Sequence, residues 1–245
     1  MNTHVFLITA KTNLHVGNES GGDFSIIDKA IQRDPLTGLP CINSSSLKGA
    51  INEFCSKSPD SSLKDDEELR KKLFGSDKTG KSNDSQKGTA IFFDAKLLYL
   101  PQQPNIDQGI EEPYILNTSE TIIKLMNDRV RLFAPGFEYE REQEAKQISH
   151  ELFKSICNDD NLPIIARNVL DNGESKNLWY EQVLPAETVL YTIIREEKYK
   201  VVGDENGDKL AEALNGKIVQ IGANATIGYG YCEFKLYKTI KEKEG

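Results

Sequence analysis

Residues 44–54 read SSSLKGAINEF and carry a clear helical signal. The four apolar residues of this stretch fall at i, i+3, i+4 and i+7, which places them on one face of an α-helix. They are Leu47, Ala50, Ile51 and Phe54. The serines in front of them offer hydroxyl groups of the kind that cap a helix N-terminus. On either side of this helix, residues 4–10 (HVFLITA) and residues 89–100 have the apolar and alternating patterns of strands.

The remaining elements complete a mixed α+β pattern. Further strands are predicted at residues 188–195, 217–222 and 229–238, and further helices at residues 65–74, 142–157 and 208–214. Residues 163–170 and 177–184 flank the turn sequence Asp171-Asn172-Gly173 and predict a β-hairpin. Without the intervening segments the order is strand, helix, strand, strand, helix, strand, which is the ferredoxin-like (RRM-like) order. We therefore expect one domain over residues 1–245, with insertions at 56–87 and 101–184.

Composition limits the class of protein. The 245 residues include 30 Lys and Arg against 38 Asp and Glu, a net charge of −8, with 38% hydrophobic and 28% charged residues. These proportions suit a globular protein with a polar surface and exclude wholesale disorder. Apolar runs fall short of the roughly 18 residues that span a bilayer, and from residues 1–4 we expect no secretory signal. The prediction is a cytoplasmic protein without membrane contact, whose four scattered cysteines are reduced.

Two glycine-containing segments have to be weighed against nucleotide binding. Residues 75–82 (GSDKTGKS) match the P-loop pattern, but that site needs a strand before the loop and a helix after it. A charged helix and a polar segment stand there instead, so we interpret the run as a solvated loop. Residues 222–230 (GANATIGYG) lie between two strands, which disfavours a dinucleotide site. Both a tight turn and close approach to a phosphate chain stay open for these glycines.

The segment from His15 to Lys48 is dense in candidate functional residues. Lys48 lies in the first turns of the predicted helix, directly after the serines. Hydroxyl groups, the free N–H groups of a helix N-terminus and a cation together suit a phosphate backbone. Each candidate also has an ordinary alternative: a solvated lysine for Lys48, a structural histidine for His15 and a turn-capping aspartate for Asp28.

Eight segments, in order along nearly the whole chain, carry a family resemblance. They are HVG at 15–17, IDKAIQRD at 27–34, TGLPCI at 37–42, SSLKGA at 45–50, LFG at 73–75, FDAKLL at 93–98, LWYEQVLPAET at 178–188 and QIGANATIGYG at 220–230. With them the sequence resembles CRISPR RAMP proteins, in particular the repeated backbone subunits (the fourth Cmr protein) of type III-B effector complexes. Residues 101–135 depart from the pattern, and Asn52 stands where the family has a basic residue.

The resemblance implies a function. Copies of such a subunit stack in a filament along a guide RNA, together with other Cmr subunits, and the complex cleaves complementary target RNA at regular intervals. A β-hairpin thumb, here the hairpin around Asn172, splays out one target nucleotide. By position, Asp28 is the catalytic aspartate and would hold the divalent metal ion, expected to be Mg²⁺; His15 is the second catalytic candidate. The candidate RNA-binding residues are Lys48, Ser45, Ser46, Arg33, Gln32, Lys11, Gly222 and Asn224.

Other hypotheses stay open beside this one. The first is a non-catalytic RNA-binding scaffold of the same superfamily, in which Asp28 is structural. The second is a metal-independent, guide-processing ribonuclease with His15 as general base, because such enzymes share the ferredoxin-like fold and a late glycine-rich loop. A P-loop nucleotide hydrolase is the third, and its local context argues against it.

Overall fold

A computed structural model describes residues 1–17, 27–75, 87–104, 112–141, 144–172, 174–196 and 208–241. The helices are α1 (Ser44–Lys57), α2 (Glu67–Phe74), α3 (Glu120–Arg131), α4 (His150–Ile156) and α5 (Lys209–Leu214). The strands are β1 (Asn2–Ala10), β2 (Cys41–Ile42), β3 (Ile91–Phe92), β4 (Ala95–Gln102), β5 (Ile115–Thr118), β6 (Lys146–Gln147), β7 (Ile164–Asp171), β8 (Glu174–Gln182), β9 (Val189–Glu196), β10 (Lys217–Gln220) and β11 (Tyr231–Lys241). A short 3-10 helix covers Ala225–Ile227.

One large sheet organises the chain. Its strands follow the order β10-β11-β1-β9-β4-β5-β6, and the short strands β2 and β3 pair with β4 and β9. The neighbours are antiparallel except for β5 and β6, which run parallel. Strands β1 and β9 are buried along almost their whole length, as expected of central strands that are covered on both faces. Strands β7 and β8 form a separate two-stranded sheet.

Helix α1 confirms the apolar stripe predicted from the sequence. Leu47, Ile51 and Phe54 are buried in the main core, with Ala50 packed against it. Burial of each such large side chain stabilises the fold by about 1.5–3 kcal/mol. The predicted strand at the N-terminus, the helix that ends at Gly75 and the hairpin around Asn172 are also present. The P-loop-like run lies, apart from Gly75, outside the described residues.

Two predicted details near α1 are wrong. The helix has Asn43 as its N-cap, without a side-chain hydrogen bond, and the serines lie inside its first turn. The free N–H of Ser44 donates instead to Asp94 Oδ1 at 2.8 Å. Because Asp94 turns toward the helix, the strand predicted over residues 89–100 is broken into β3 and β4 at this point.

The segment between β4 and the hairpin differs most from prediction. The helix expected over residues 142–157 is only the seven-residue α4, because Ser149 caps it through Leu152 N–H and residues 146–147 pair with β5. Helix α3 was not predicted at all. It begins after Ser119, whose Oγ accepts the Ile122 N–H, and buries a stripe spaced by four residues. That stripe is Ile122, Met126 and Val130.

A largely buried cluster of charged side chains, Asp34, Asp94, Lys96 and Arg129, links the loop before β2 to the sheet. Lys96 Nζ lies 2.6 Å from Asp34 Oδ2 and 2.8 Å from Asp94 Oδ2, and Arg129 Nη2 lies 3.5 Å from Asp34 Oδ2. Burial opposes ionisation of Asp34. Hydrogen bonds from Lys96 and from two main-chain N–H groups outweigh it and hold the pKa of this carboxyl well below its usual range. The carboxylate therefore stays charged far into the acid range.

Lys96→Met is expected to lower the free energy of unfolding by about 3 kcal/mol at neutral pH, because it leaves a buried carboxylate poorly compensated. A carboxyl with a depressed folded-state pKa stabilises above its unfolded pKa, and this contribution disappears as pH falls through the folded value. The difference between wild type and variant should therefore shrink below roughly pH 4. Urea denaturation at several pH values measures it. Lys71→Met, which removes an exposed ion pair with Glu67, should change stability far less, because water screens exposed pairs; equal effects of the two variants would contradict the assignment.

Candidate nucleic-acid interface

Asp28 is attached to the base of the hairpin by main-chain atoms. The N–H groups of Asp28 and Lys29 both donate to Tyr180 O at 3.1 Å, and Asp28 Oδ2 accepts the Tyr180 N–H at 2.7 Å. Two residues after Tyr180, the Gln182 N–H donates to Lys29 O at 3.0 Å. The segment thus lies against β8 like a short extra strand. This attachment holds the exposed carboxylate of Asp28 at a fixed position beside the hairpin.

The hairpin itself presents apolar side chains to solvent. Leu178 is 53% exposed and Val169 48%. At the base, Lys29 Nζ lies 5.0 Å from the centre of the Trp179 ring, a cation–π contact. The turn is formed at Asn172, which has a φ of 51°. An exposed apolar hairpin of this kind is suited to contact with another macromolecule.

A buried polar network lies beneath Asp28. Glu181, 2% exposed, accepts hydrogen bonds at Oε2 from Arg167 Nε (3.1 Å) and Asn224 Nδ2 (2.8 Å). His15 Nε2 lies 3.5 Å from Glu181 Oε1. His15 Nδ1 lies 2.7 Å from Gln182 O, and because a carbonyl only accepts, Nδ1 carries a proton. The network joins the segment around His15, both hairpin strands and the loop before β11.

The loop after β10 passes directly over the main chain of His15. Ala223 N–H donates to His15 O at 2.9 Å. Gly222 has a φ of +81°, and a Cβ at this position would lie 2.2 Å from His15 O. A contact within the chain therefore requires glycine here. The alternative of phosphate approach, left open by the sequence, is not needed to explain it.

Gln32 fastens the N-terminus of α1 to the segment before β2. Its Oε1 accepts the Asn43 N–H at 2.7 Å, and its Nε2 donates to Gly17 O and Ser46 Oγ, both at 3.2 Å. Gln32 is only 8% exposed, so its first role is to position the helix. Ser45 is exposed and Lys48 half-buried.

Two of the candidate cations are engaged within the chain. Arg33 donates to Asp159 Oδ1 through Nη2 at 2.6 Å and to Gly38 O through Nη1 at 2.8 Å. Lys11 Nζ lies 3.1 Å from Glu187 Oε1. The side chain of Lys48, in contrast, makes no hydrogen bond or ion pair with any residue that the structure describes. Among the predicted cations, Lys48 is therefore best suited to meet a phosphate.

Sequence reasoning singled out Asp28 and Lys48 but not the residues that surround Asp28. Arg167, whose guanidinium stacks over the Tyr229 ring at 4.7 Å, and Lys29 at Trp179 belong to the same surface. Lys29 and Trp179 lie within matched segments, so the signal for them was present. Arg167 lies on β7, outside those segments. The antiparallel register of β7 and β8 places it opposite Trp179, and from there its side chain reaches Glu181 diagonally.

Among the described residues, no helix is long and apolar enough to cross a membrane. The chain is 23% identical to the CRISPR system Cmr endoribonuclease Cmr4 of Pyrococcus furiosus, over 92% of each chain. Its fold is similar to a chain of the type III-B Cmr-beta complex bound to cognate target RNA, with a TM-score of 0.72, 21% identity and coverage of 95% and 96% of the two chains. It is also similar to oligomeric Cmr4 from Pyrococcus furiosus, with a TM-score of 0.69, 19% identity and coverage of 96% and 98%.

The sequence model of the RAMP superfamily matches residues 7–233, which is most of the chain. All eight segments that carried the resemblance lie within this range. The chain belongs to the RAMP superfamily.

Proposed function

We propose that the chain is a guide-RNA-binding backbone subunit of a type III CRISPR ribonucleoprotein that cleaves complementary target RNA at regular intervals. Copies of the chain stack in a filament with other Cmr subunits. Membership of the RAMP superfamily and similarity to Cmr endoribonuclease Cmr4 and to a target-RNA-bound Cmr complex support this function. The observation that carries it is the exposed carboxylate of Asp28, fixed at the base of a protruding hairpin.

The proposal includes a ferredoxin-like core and a hairpin that acts as a thumb. The central strand order β11-β1-β9-β4, with α1 between β1 and β4 and α5 between β9 and β11 along the chain, supports such a core. The thumb role rests on the separate pairing of β7 with β8 and on the exposed apolar side chains Leu178 and Val169. In this role the hairpin wedges into the guide–target duplex and turns one target nucleotide out.

Cleavage then follows from positioning. In a regular A-form duplex the 2′-hydroxyl is out of line with the leaving 5′-oxygen, whereas a splayed nucleotide can reach in-line geometry. Positioning of this kind supplies several kcal/mol of the barrier reduction. Asp28 would accept the 2′-hydroxyl proton as the 2′-oxygen bonds to phosphorus. The bond from phosphorus to the 5′-oxygen breaks, and the leaving 5′-oxygen takes a proton from solvent. The main-chain hydrogen bond to Asp28 Oδ2 orients the carboxylate and leaves Oδ1 for this contact.

The residues present at Asp28 fit a weakly held Mg²⁺ rather than a closed protein cage. Mg²⁺ is commonly bound through one or two carboxylates together with substrate phosphates. In the described part of the chain, no cluster of three His, Cys, Asp or Glu ligands includes Asp28. Asp28 would therefore supply a single carboxylate ligand, and RNA phosphate oxygens would supply others. When bound, the ion neutralises charge that develops at the phosphate.

The geometry does not favour His15 as a general base. Its ring is 3% exposed and enclosed between Gln182 O and Glu181. A base must reach the proton that it removes within hydrogen-bond distance. In the proposed function His15 supports the hairpin base and the loop at Gly222, and it does not contact the reacting atoms.

The test is cleavage by the reconstituted complex of end-labelled target RNA, with and without Mg²⁺. A ladder of regularly spaced products that requires both guide RNA and Mg²⁺ is expected. Normal target binding without any ladder would contradict nuclease activity and leave the scaffold hypothesis. A ladder that persists in EDTA would contradict the metal requirement.

Lys48→Ala is expected to weaken guide-RNA binding without regard to sequence and to reduce the slope of log K against log salt concentration by about one unit. The reason is the loss of one phosphate contact at the start of α1. Filter binding over a salt series measures both quantities. Lys57→Ala is the control on the same helix, since Lys57 pairs with Glu53 at the far end. An unchanged slope for Lys48→Ala would show that Lys48 is a solvated surface lysine that does not contact phosphate.

A further inference from the structure

A second cluster of potential metal ligands lies on elements that the RNA-binding proposal does not use. It consists of His4 near the start of β1, Glu196 at the end of β9 and Asp208 just before α5. From His4, strand β1 continues for about 20 Å to Ala10. The chain reaches His15, against which the Gly222 loop packs, only after that. Nothing in the proposed cleavage mechanism involves these three side chains.

The geometry of the cluster suits a common ion. His4 Nε2 lies 3.1 Å from Glu196 Oε1 and 3.7 Å from Asp208 Oδ1, and the three ligand atoms all lie within 4.8 Å of one another. Ligands of a tetrahedral Zn²⁺, bound at about 2.0–2.2 Å, are separated by about 3.3 Å. The cluster therefore needs only small adjustments to surround such an ion.

His4 Nε2 has no hydrogen-bond partner in the described part of the chain, although its ring is fully buried. Glu196 Oε1 is near enough but does not lie in hydrogen-bonding geometry. On the other side of the ring, Nδ1 lies 3.0 Å from Thr239 Oγ1. Metal-binding histidines characteristically use the second ring nitrogen in such a contact, which fixes the ring orientation. The buried His4 Nε2 thus faces the carboxylates of Glu196 and Asp208 without a hydrogen bond to either. This arrangement indicates an ion bound between the three side chains.

Charge leads to the same conclusion. Glu196 is fully buried and Asp208 is 13% exposed, so two carboxylates face one imidazole at a site with little access to solvent. Main-chain N–H groups of Leu210 and Ala211 donate to Glu196 at 3.2 and 3.3 Å, which compensates its charge only in part. Buried carboxylates require a counter-charge, and a divalent ion supplies it.

We propose that His4 Nε2, Glu196 and Asp208 bind one transition-metal ion of the zinc class, at a site distinct from the ion used in RNA cleavage. An imidazole with two carboxylates is a ligand set for Zn²⁺ rather than for Mg²⁺, which prefers oxygen ligands alone. Asn2 Nδ2 donates to Asp208 Oδ1 and Thr239 contacts His4, so both orient the ligands. The ion ties the first strand, the last residue of β9 and the start of α5 together.

The test is metal retention by the full chain. The protein is stripped with EDTA, loaded with Zn²⁺, freed of excess ion by gel filtration and analysed for metal content and melting temperature. We expect about one zinc ion per chain and a melting temperature that rises with free Zn²⁺, because an ion bound only by the folded state stabilises it. Millimolar Mg²⁺ should not replace it. The absence of retained zinc together with an unchanged melting temperature would overturn the proposal.

Matched variants assign the ion to the cluster. His4→Gln and Asp208→Asn should retain substoichiometric zinc and lose the response of melting temperature to Zn²⁺. His150→Gln and Asp160→Asn, which change the same residue types elsewhere, should behave as wild type, and Asp28→Asn should also retain zinc. If the cluster variants fail to fold, Co²⁺ loading of the wild type decides: tetrahedral binding gives intense visible d–d absorption, and a spectrum of hydrated Co²⁺ would refute the site.

Discussion

Asp28→Asn is expected to abolish regularly spaced cleavage of target RNA while the complex binds guide and target RNA as wild type does. Asparagine keeps an oxygen that can accept the Tyr180 N–H, so the loop should stay on the hairpin. It loses the charge, cannot accept a proton and is a poor ligand for a hard cation. Removal of a general base typically lowers rates by about 10²–10⁴-fold. Single-turnover cleavage and a binding shift on the same preparation measure the two effects separately.

Asp65→Asn is the matched control, because Asp65 is an exposed carboxylate in the turn before α2 and so lies on a different element from the hairpin. It should cleave at the wild-type rate. If the Asp28→Asn complex binds RNA normally and cleaves at nearly the wild-type rate, Asp28 is not the catalytic carboxylate. Glu181 and Asp34 would then be the next candidates, although Glu181 is buried against Arg167 and Asp34 is bound to Lys96.

Gly222→Ala is expected to lower the free energy of unfolding of the chain itself by about 2–5 kcal/mol, from left-handed backbone strain and steric overlap together. The backbone at Gly222 has a φ of +81°, and the new Cβ would lie 2.2 Å from His15 O. That oxygen belongs to the main chain of a buried segment and cannot move aside without disturbing the hydrogen bond from Ala223. Urea denaturation of the isolated chain measures the loss, and valine at this position should be worse.

Gly228→Ala separates the two contributions. Gly228 has a similar φ of +82°, but no atom lies within 4 Å of its would-be Cβ. Only the backbone term remains there, about 1–2 kcal/mol. Equal destabilisation by the two variants would show that the contact with His15 does not matter.

Elements with a local signal could be predicted from the sequence. Helix α1 follows from the spacing of its apolar residues, and the hairpin follows from two apolar runs around an Asp-Asn-Gly turn. The break between β3 and β4 could not be predicted, because Asp94 bonds to Ser44, fifty residues away in the chain. Helix α3 had a usable local pattern after Ser119, but it lies in the segment 101–184 that we interpreted as an insertion and for which no helix was predicted at this place.

The candidate site shows the same division. The position of Asp28 came from a family pattern, whereas its attachment to Tyr180 depends on a contact across 152 residues. From the sequence, Arg33 and Lys11 were predicted to be available for RNA. In the fold each pairs with a carboxylate far along the chain: Arg33 with Asp159 and Lys11 with Glu187. A sequence pattern identifies which groups are present, and the fold decides which of them are already engaged.

The attachment of Asp28 to main-chain atoms has a practical consequence for engineering. Every residue except proline offers the same N–H and C=O at position 180, so the side chain of Tyr180 can be exchanged without displacing the carboxylate. The exposed positions Leu178 and Val169, which lie on opposite faces of the hairpin, can likewise be diversified as a library. If the proposed function holds, catalysis and duplex recognition would depend on separable parts of this surface, and variants with altered affinity for a duplex could be selected while the position of the Asp28 carboxylate stays constant.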